Sequence, residues 1–456
     1  MKSLDREILR LAVPSILANI TVPLVGLVDT AVAGHLHSAG ASGAEFIGGI
    51  SVGAMILSVV YWNFAFLRAS TGGLTAQAYG RLVSLGLPSS GLHISECLGI
   101  LRRALGLAMG FALLLVALGW PLSRLALIFR DATPSVAALA IQYILIRIWA
   151  APATLSLMAL KGWFIGMQDS VSSMLTDLTV NAVNIAASII LSLGIGSWDG
   201  LGFIGIPLGT VIAQYSGLLL AMMICWLKYH AFAGRIQSSQ AGSMKDFFKL
   251  NSDLFIRSLC FSGIYLGYTI IASQFGEVLL ACANIMMNLL MIFSYFTDGF
   301  AYAGEALTGR FIGEKDPEML KRTVRGTFKW SFGVAGFWML IYWIGGPGML
   351  GLMTDDAAVL EACRRYLPWL LIMPPVGCAA FTWDGIYIGA TASKAIRNAM
   401  IWALVAFLGI WYAGRVLLPG LSAPAAIHLL MAAYFAHLAA RTIHLSLAYH
   451  KNIRLS

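Results

Sequence analysis

Asp29 is the single charged residue in a run of 24 residues, Leu11 to Gly34 (LAVPSILANITVPLVGLVDTAVAG). At 1.5 Å per residue such a run crosses a bilayer as a helix. A carboxylate at that depth costs roughly 2.5–3.5 kcal/mol on insertion scales, so by default it marks an ion or substrate pathway. Protonation removes most of that cost, which suits a proton carrier; the alternative is a carboxylate locked in a permanent hydrogen-bond network. The other charges at membrane depth are few: Arg68, Arg147 and Lys161 against Asp298 and Asp384. Three acids thus meet three bases, and a strongly anionic cavity is not predicted. Lys161, near the end of its helix, has two readings: its stem snorkels to the interface, or its ammonium replaces a bound cation. Asp298, Asp384, Asn181 and Arg147 are candidates for substrate contact or second-half ion coupling, with structural hydrogen bonding as the competing role for the two acids. Glu305, nearer a helix end, is expected to be solvated. Asp177 is expected to complement the dipole at the start of its helix.

Nothing in the chain points to covalent or metal chemistry. The six cysteines (Cys97, Cys225, Cys260, Cys282, Cys363, Cys378) are scattered without a CxxC pair, and the eight histidines form no HExxH. No cofactor or metal is expected. A membrane-embedded enzyme would need a nucleophile–base pair at depth, and no Ser, Cys and His constellation supplies one. A phosphate-binding GxxxxGK[ST] loop is also missing from the sequence.

Helices must position these charges. The chain is 59% hydrophobic and 11% charged, with a mean hydropathy of +0.80, whereas soluble domains carry about 25% charged residues. Apolar stretches predict twelve membrane helices, at 10–35, 44–68, 104–129, 138–166, 170–194, 202–228, 254–275, 278–303, 324–350, 358–388, 395–415 and 423–447. The polar pieces 80–103, 229–253 and 304–323 read as linkers. The start MKSLDREILR lacks the layout of a removable signal peptide. The net charge of +9 reflects topology rather than nucleic-acid binding: of the loop bases only Arg124, Arg130, Arg364, Arg365 and Arg415 fall on the side away from the termini. The positive-inside rule then places both termini in the cytoplasm. Pro14, Pro23, Pro152, Pro374 and Pro375 fall inside helices, where they free carbonyls and permit bending.

Two internal matches point to a repeat. LKGWFIGMQDSVSSM (160–174) lies over WDGIYIGATASKAIRNAM (383–400), pairing Gly162 with Gly385 and Gly166 with Gly389. LTAQAYGR (74–81) matches LTGRFIGE (307–314). Both offsets are six helices, an even count, so the two halves share one orientation and the repeat is parallel. The halves are expected at 1–228 and 254–456, joined by a cytoplasmic linker at 229–253.

The segments LRLAVPSILANITVPLVGLVDTAVAGHL, FLRASTGGLTAQAYG (66–80), IRIWAAPATLSLMALKGWFIGMQ (146–168), NAVNIAASIILSLGIG (181–196), FTDGFAYAGEALTGRFIG (296–313) and WDGIYIGAT (383–391) resemble, in order and over nearly the whole chain, the multidrug and toxic compound extrusion transporters, DinF-like branch. The resemblance implies an all-α fold of twelve helices in two six-helix bundles around a central cavity. It implies export of amphipathic, often cationic organic compounds, driven by protons or sodium ions. It also implies an ion-coupling set of Asp29, Tyr143, Asn184 and Thr210. Relatives carry an aspartate where this chain has Ser188, and a neutral residue where it has Lys161. Asn181, one turn before Asn184, is a candidate for the same face.

Together these readings predict a monomeric, multi-pass inner-membrane antiporter working by alternating access, in contact with lipid. A second carboxylate is missing and Lys161 can approach Asp29 as a tethered cation, so proton coupling is favoured over sodium coupling. A flippase for lipid-linked sugars, which would want a cavity dominated by Arg and Lys, is the alternative. A channel or receptor fits the repeat less well. Met286, Met287, Met291, Phe293 and Tyr295 form either an adaptable binding wall or a lipid-facing stripe.

Overall fold

The computed structural model describes residues 2–36, 42–84, 91–129, 134–229 and 244–453. Twelve helical segments in it are long and apolar enough to cross a membrane, and they are numbered here as spans 1–12: Leu4–Gly34, Gly43–Ser84, Glu96–Ala117, Pro134–Gly166, Ser170–Leu193, Gly202–Tyr229, Lys245–Ser273, Glu277–Glu314, Pro317–Met353, Leu367–Gly389, Ser393–Leu417 and Ala423–Asn452. The count of twelve agrees with the hydropathy reading, and several boundaries do not. Span 2 runs on to Ser84 through a turn at Asn63–Ala65. Span 3 stops at Ala117, and its expected end is a short helix, Gly119–Ser123, followed by a 3-10 turn, Arg124–Phe129.

The expected polar linker at 304–323 is a correction. Span 8 continues unbroken to Glu314 and span 9 begins at Pro317, so the connection is only Lys315 and Asp316. Lys315 takes a left-handed conformation at φ 58°, and the Asp316 carboxylate caps span 9 by accepting from the Met319 amide at 2.9 Å. A left-handed stop followed at once by an Asp cap lets a helix reverse in two residues. Polar composition reads as irregular chain, whereas here it lies on continuous helix. Of the expected linker 229–253, residues 230–243 lie outside the described residues, and 245–253 are the first turns of span 7.

The chain forms two compact units. One is Leu17–Leu82 with Gly86–Ala241; the other is Gly242–Ser456 with Met1–Ile16 and Val83–Leu85. The changeover falls inside the expected linker, but the first half of span 1 belongs with the C-terminal unit rather than with the expected 1–228 bundle. Two contacts within that unit hold it: a Cβ on Gly299 would lie 2.8 Å from the Ala12 carbonyl oxygen, and one on Gly326 would lie 2.8 Å from Ile8. Met286, Met287 and Phe293 are buried in the core of the C-terminal unit, so they make no lipid-facing stripe.

In each unit the first sequence match packs on the helix that leads into the second, touching it at Thr75 and Ala76 from Gly166 and at Gly309 from Gly389. In the N-terminal unit a Cβ on Gly162 would stand 2.2 Å from the Arg68 carbonyl oxygen, and one on Gly166 would stand 2.7 Å from that of Gly72. In the C-terminal unit a Cβ on Gly385 would stand 2.0 Å from the Ala301 carbonyl oxygen, and one on Gly389 2.2 Å from that of Glu305. Each unit therefore presses span 4 or span 10 onto the backbone of span 2 or span 8 at two glycines four residues apart. Such small-xxx-small faces are how helices approach closely where lipid offers no hydrophobic drive.

Candidate functional site

Asp29 is buried in span 1 at 6% exposure. The Arg147 guanidinium of span 4 acts on it electrostatically without forming an ion pair, and the Ser188 hydroxyl of span 5 faces it. Its Oδ1 is buried and accepts no hydrogen bond. Arg147 in turn donates to the Tyr143 hydroxyl one turn earlier on the same helix, with its guanidinium carbon 5.5 Å from that ring's centroid. Span 4 holds Arg147 at a break: the α-helix Pro134–Arg147 gives way to a 3-10 turn, Ile148–Ala150, where Pro152 can donate no backbone bond. The Tyr143 ring fills the place of a side chain at Gly53, whose Cβ would lie 2.5 Å from the ring.

Spans 5 and 6 supply neutral oxygens. Asn184 donates from its amide to Thr210 Oγ1 at 3.0 Å, and Ser188 donates to Asn184 Oδ1 at 3.4 Å. Both bonds depend on close packing: a Cβ on Gly209 would lie 2.7 Å from the Ser188 amide nitrogen, and one on Gly205 2.5 Å from that of Ser192. Asn181 donates to Thr21 Oγ1 of span 1 at 2.6 Å, two turns before Asp29. The structure thus gathers Asp29, Tyr143, Arg147, Asn184, Ser188 and Thr210, with Asn181 beside them. It adds Tyr61 of span 2, whose buried hydroxyl has no hydrogen-bond partner and whose ring neighbours Arg147. Tyr61 carried no sequence signal, being one aromatic in an apolar run.

Lys161 does not join this set. Its ammonium lies 2.6 Å from Asp177 Oδ1, with the two side chains 27% and 23% exposed. That corrects two expectations at once. Asp177 is two turns into span 5 and answers Lys161 rather than the helix dipole, and the cation beside Asp29 is Arg147.

The C-terminal unit holds a second charged set. Asp384 (span 10) is buried, and its Oδ2 accepts from Arg257 (span 7) at 2.5 Å and from Arg441 (span 12) at 2.6 Å. Arg441 is 1% exposed. It escaped the charge count because its span reads as an ordinary apolar helix end. Glu305 is also a correction: expected in solvent, it is fully buried, since span 8 extends well past it. Asp298 is half-buried on the same span, beside Tyr295. Among the described residues no three His, Cys, Asp or Glu side chains are placed to hold a metal.

The MatE family model matches residues 95–190 and 254–413. The chain is 33% identical to DNA damage-inducible protein F of Escherichia coli (strain K12), over 89% of this chain and 85% of that protein. It is 24% identical to a probable multidrug resistance protein NorM of Pseudomonas syringae pv. tomato, over 78% and 75% of the two chains. In fold it is similar to a multidrug resistance MATE family transporter of the MOP superfamily solved in an outward-facing conformation, with a TM-score of 0.80, 16% identity and coverage of 99% and 97%.

Proposed function

We propose, for a chain that belongs to the multidrug and toxic compound extrusion (MatE) transporters and to their DinF-like branch, that it exports amphipathic organic compounds by alternating access in exchange for protons. It is a multi-pass membrane transporter, not an enzyme. The reading further places a monomer in the inner membrane, with both termini cytoplasmic.

The observation that carries proton coupling is a buried Asp29 carboxylate on which the Arg147 guanidinium acts electrostatically without forming an ion pair with it. With Asp29 ionised the two charges balance; a proton on Asp29 leaves Arg147 as the remaining charge of the set. Asp29 therefore has two states that differ by one charge, which is what coupling to a proton requires. Sodium is a hard cation that would want further anionic oxygen here. The resemblance puts the second carboxylate at position 188, where this chain has a neutral serine, and Arg147 already occupies the role of local cation. That role belongs to Arg147 rather than to Lys161.

Reconstitution into vesicles with imposed proton or sodium gradients, assayed with a panel of dyes, tests the reading. Export that follows the proton gradient and ignores sodium is the expected result. Sodium-dependent, pH-insensitive export would overturn it.

A further inference from the structure

Arg257 and Arg441 come from different helices and converge on one oxygen of one carboxylate, Asp384 Oδ2. The other oxygen, Oδ1, is buried and accepts nothing, and each guanidinium keeps a buried Nε–H without an acceptor. Arg441 is 1% exposed and its guanidinium carbon lies 5.7 Å from the Phe381 ring centroid. His437, one turn before Arg441 on span 12, is also 1% exposed, has neither ring nitrogen hydrogen-bonded, and packs edge-on to Tyr434 at 4.6 Å. At this one carboxylate two cations meet a single anion, a local surplus of positive charge where an uncompensated charge is costly. A cation is therefore the wrong guest. Guanidiniums presenting spare N–H groups are suited to the planar, bidentate recognition of carboxylate and phosphate.

We propose that Arg257, Arg441 and His437 form a binding site for an organic oxyanion, a carboxylate, sulfonate or phosphate carried by an amphipathic molecule, with Asp384 as the internal carboxylate that the guest partly displaces. The site gives the exporter acidic and zwitterionic substrates. Arg257, 21% exposed against 2% for Arg441, is the edge by which the guest arrives. The apolar part of the guest rests against Phe381 and Tyr434, which the cationic head of Arg441 and the ring of His437 already flank. The inference rests on the exporter reading for its use of the word substrate, but the binding itself needs no gradient.

Two xanthene dyes of similar ring size and opposite charge make the test: fluorescein, an anion, and rhodamine 6G, a cation. Their binding to the purified full chain in a non-ionic detergent is followed by fluorescence anisotropy. Asp384→Asn removes the competing internal anion, so fluorescein should bind about tenfold tighter, equivalent to about 1.4 kcal/mol. Arg257→Gln and Arg441→Gln should each weaken it by about tenfold or more. Rhodamine 6G binding should change little in all three and serves as the check that each variant is folded. No fluorescein binding by the unmodified chain overturns the proposal. So does unchanged or weaker binding by the Asp384→Asn protein while rhodamine 6G binding persists. In phosphatidylcholine vesicles, displacement of fluorescein by a few per cent phosphatidylglycerol would assign the oxyanion to a lipid headgroup; its persistence would assign it to a soluble guest. Fluorescein binding with the expected variant pattern, but without gradient-driven movement, would keep the site and reject the exporter reading.

Discussion

The Lys161 ammonium lies 2.6 Å from Asp177 Oδ1, on the helix that follows it, and so is spoken for before Asp29 can recruit it. Both side chains are about a quarter exposed, and pairs with that access to solvent contribute on the order of 1 kcal/mol or less. Lys161→Met and Asp177→Asn should each lower the melting temperature slightly. The double variant should be no worse than either alone, and dye export should survive in all three. Adding Lys161→Met to Asp29→Asn should restore none of the folded yield that Asp29→Asn loses. Recovery of yield in that double variant would return Lys161 to the site.

Arg147 is the partner whose loss should matter. Asp29→Asn removes the carboxylate whose charge acts on its buried guanidinium, and because the two make no direct ion pair the cost should stay below the about 3–5 kcal/mol of a broken buried pair. The hydrogen bond to Tyr143 lowers it further. Asp29→Asn with Arg147→Gln should recover folded yield, measured by size-exclusion chromatography, yet remain without gradient-driven export. Export by that double variant would remove Asp29 from the coupling mechanism.

Ser188→Asp tests the choice of ion. It puts a second carboxylate beside Asp29 and Asn184 and supplies the anionic oxygen that the serine lacks. Export by this variant should gain a stimulation by sodium that the unmodified chain does not show. The readout is dye efflux from vesicles at fixed pH with sodium or choline outside. Equal rates in the two salts would mean that position 188 does not set ion preference.

The repeat contacts predict matched failures. Gly162→Ala would place a methyl 2.2 Å from the Arg68 carbonyl oxygen, and Gly385→Ala one 2.0 Å from that of Ala301. Backbone cannot retreat as a side chain can, so each should cost about 1–3 kcal/mol or more and sharply reduce folded yield. Gly106→Ala, with nothing within 4 Å of the new methyl, should leave yield unchanged. The comparison is read by thermal unfolding of the purified proteins.

Hydropathy carried the count of twelve spans because each apolar run had to be long enough for a bilayer, and only helices satisfy their own backbone there. It failed at Glu305 and at the turn Lys315–Asp316, where polar composition on a helix looks the same as polar composition in a loop. Asp29 was legible because its cost stands out locally. Asn184 and Thr210 were legible only through family resemblance, since an amide and a hydroxyl cost little to leave in a helix. Pairings were the least legible. Lys161 with Asp177 is 16 residues apart, and Arg441 with Asp384 is 57. No periodicity in one helix says which neighbour a long basic side chain will reach. Tyr61 and His437 are visible only once burial is known.

Gly205 and Gly209 bring span 6 against the backbone of span 5 from Ser192 down to Ser188, so Asn184, Ser188 and Thr210 stand together as a single hydrogen-bonded palisade. Asp29 is mounted elsewhere, on a helix that carries Pro14 and Pro23 and whose two ends belong to different compact units. The proposed exchange would therefore have its tuning and its movement written in separate stretches of sequence. Under the proposed exchange, substitutions among the palisade oxygens should retune which ion is preferred and leave the proline-bearing stretch of span 1 as it is. Under the same proposal, substitutions around the two prolines should change the bending of span 1 and leave the oxygens of spans 5 and 6 as they are. A lineage under changing chemical pressure can alter either one alone.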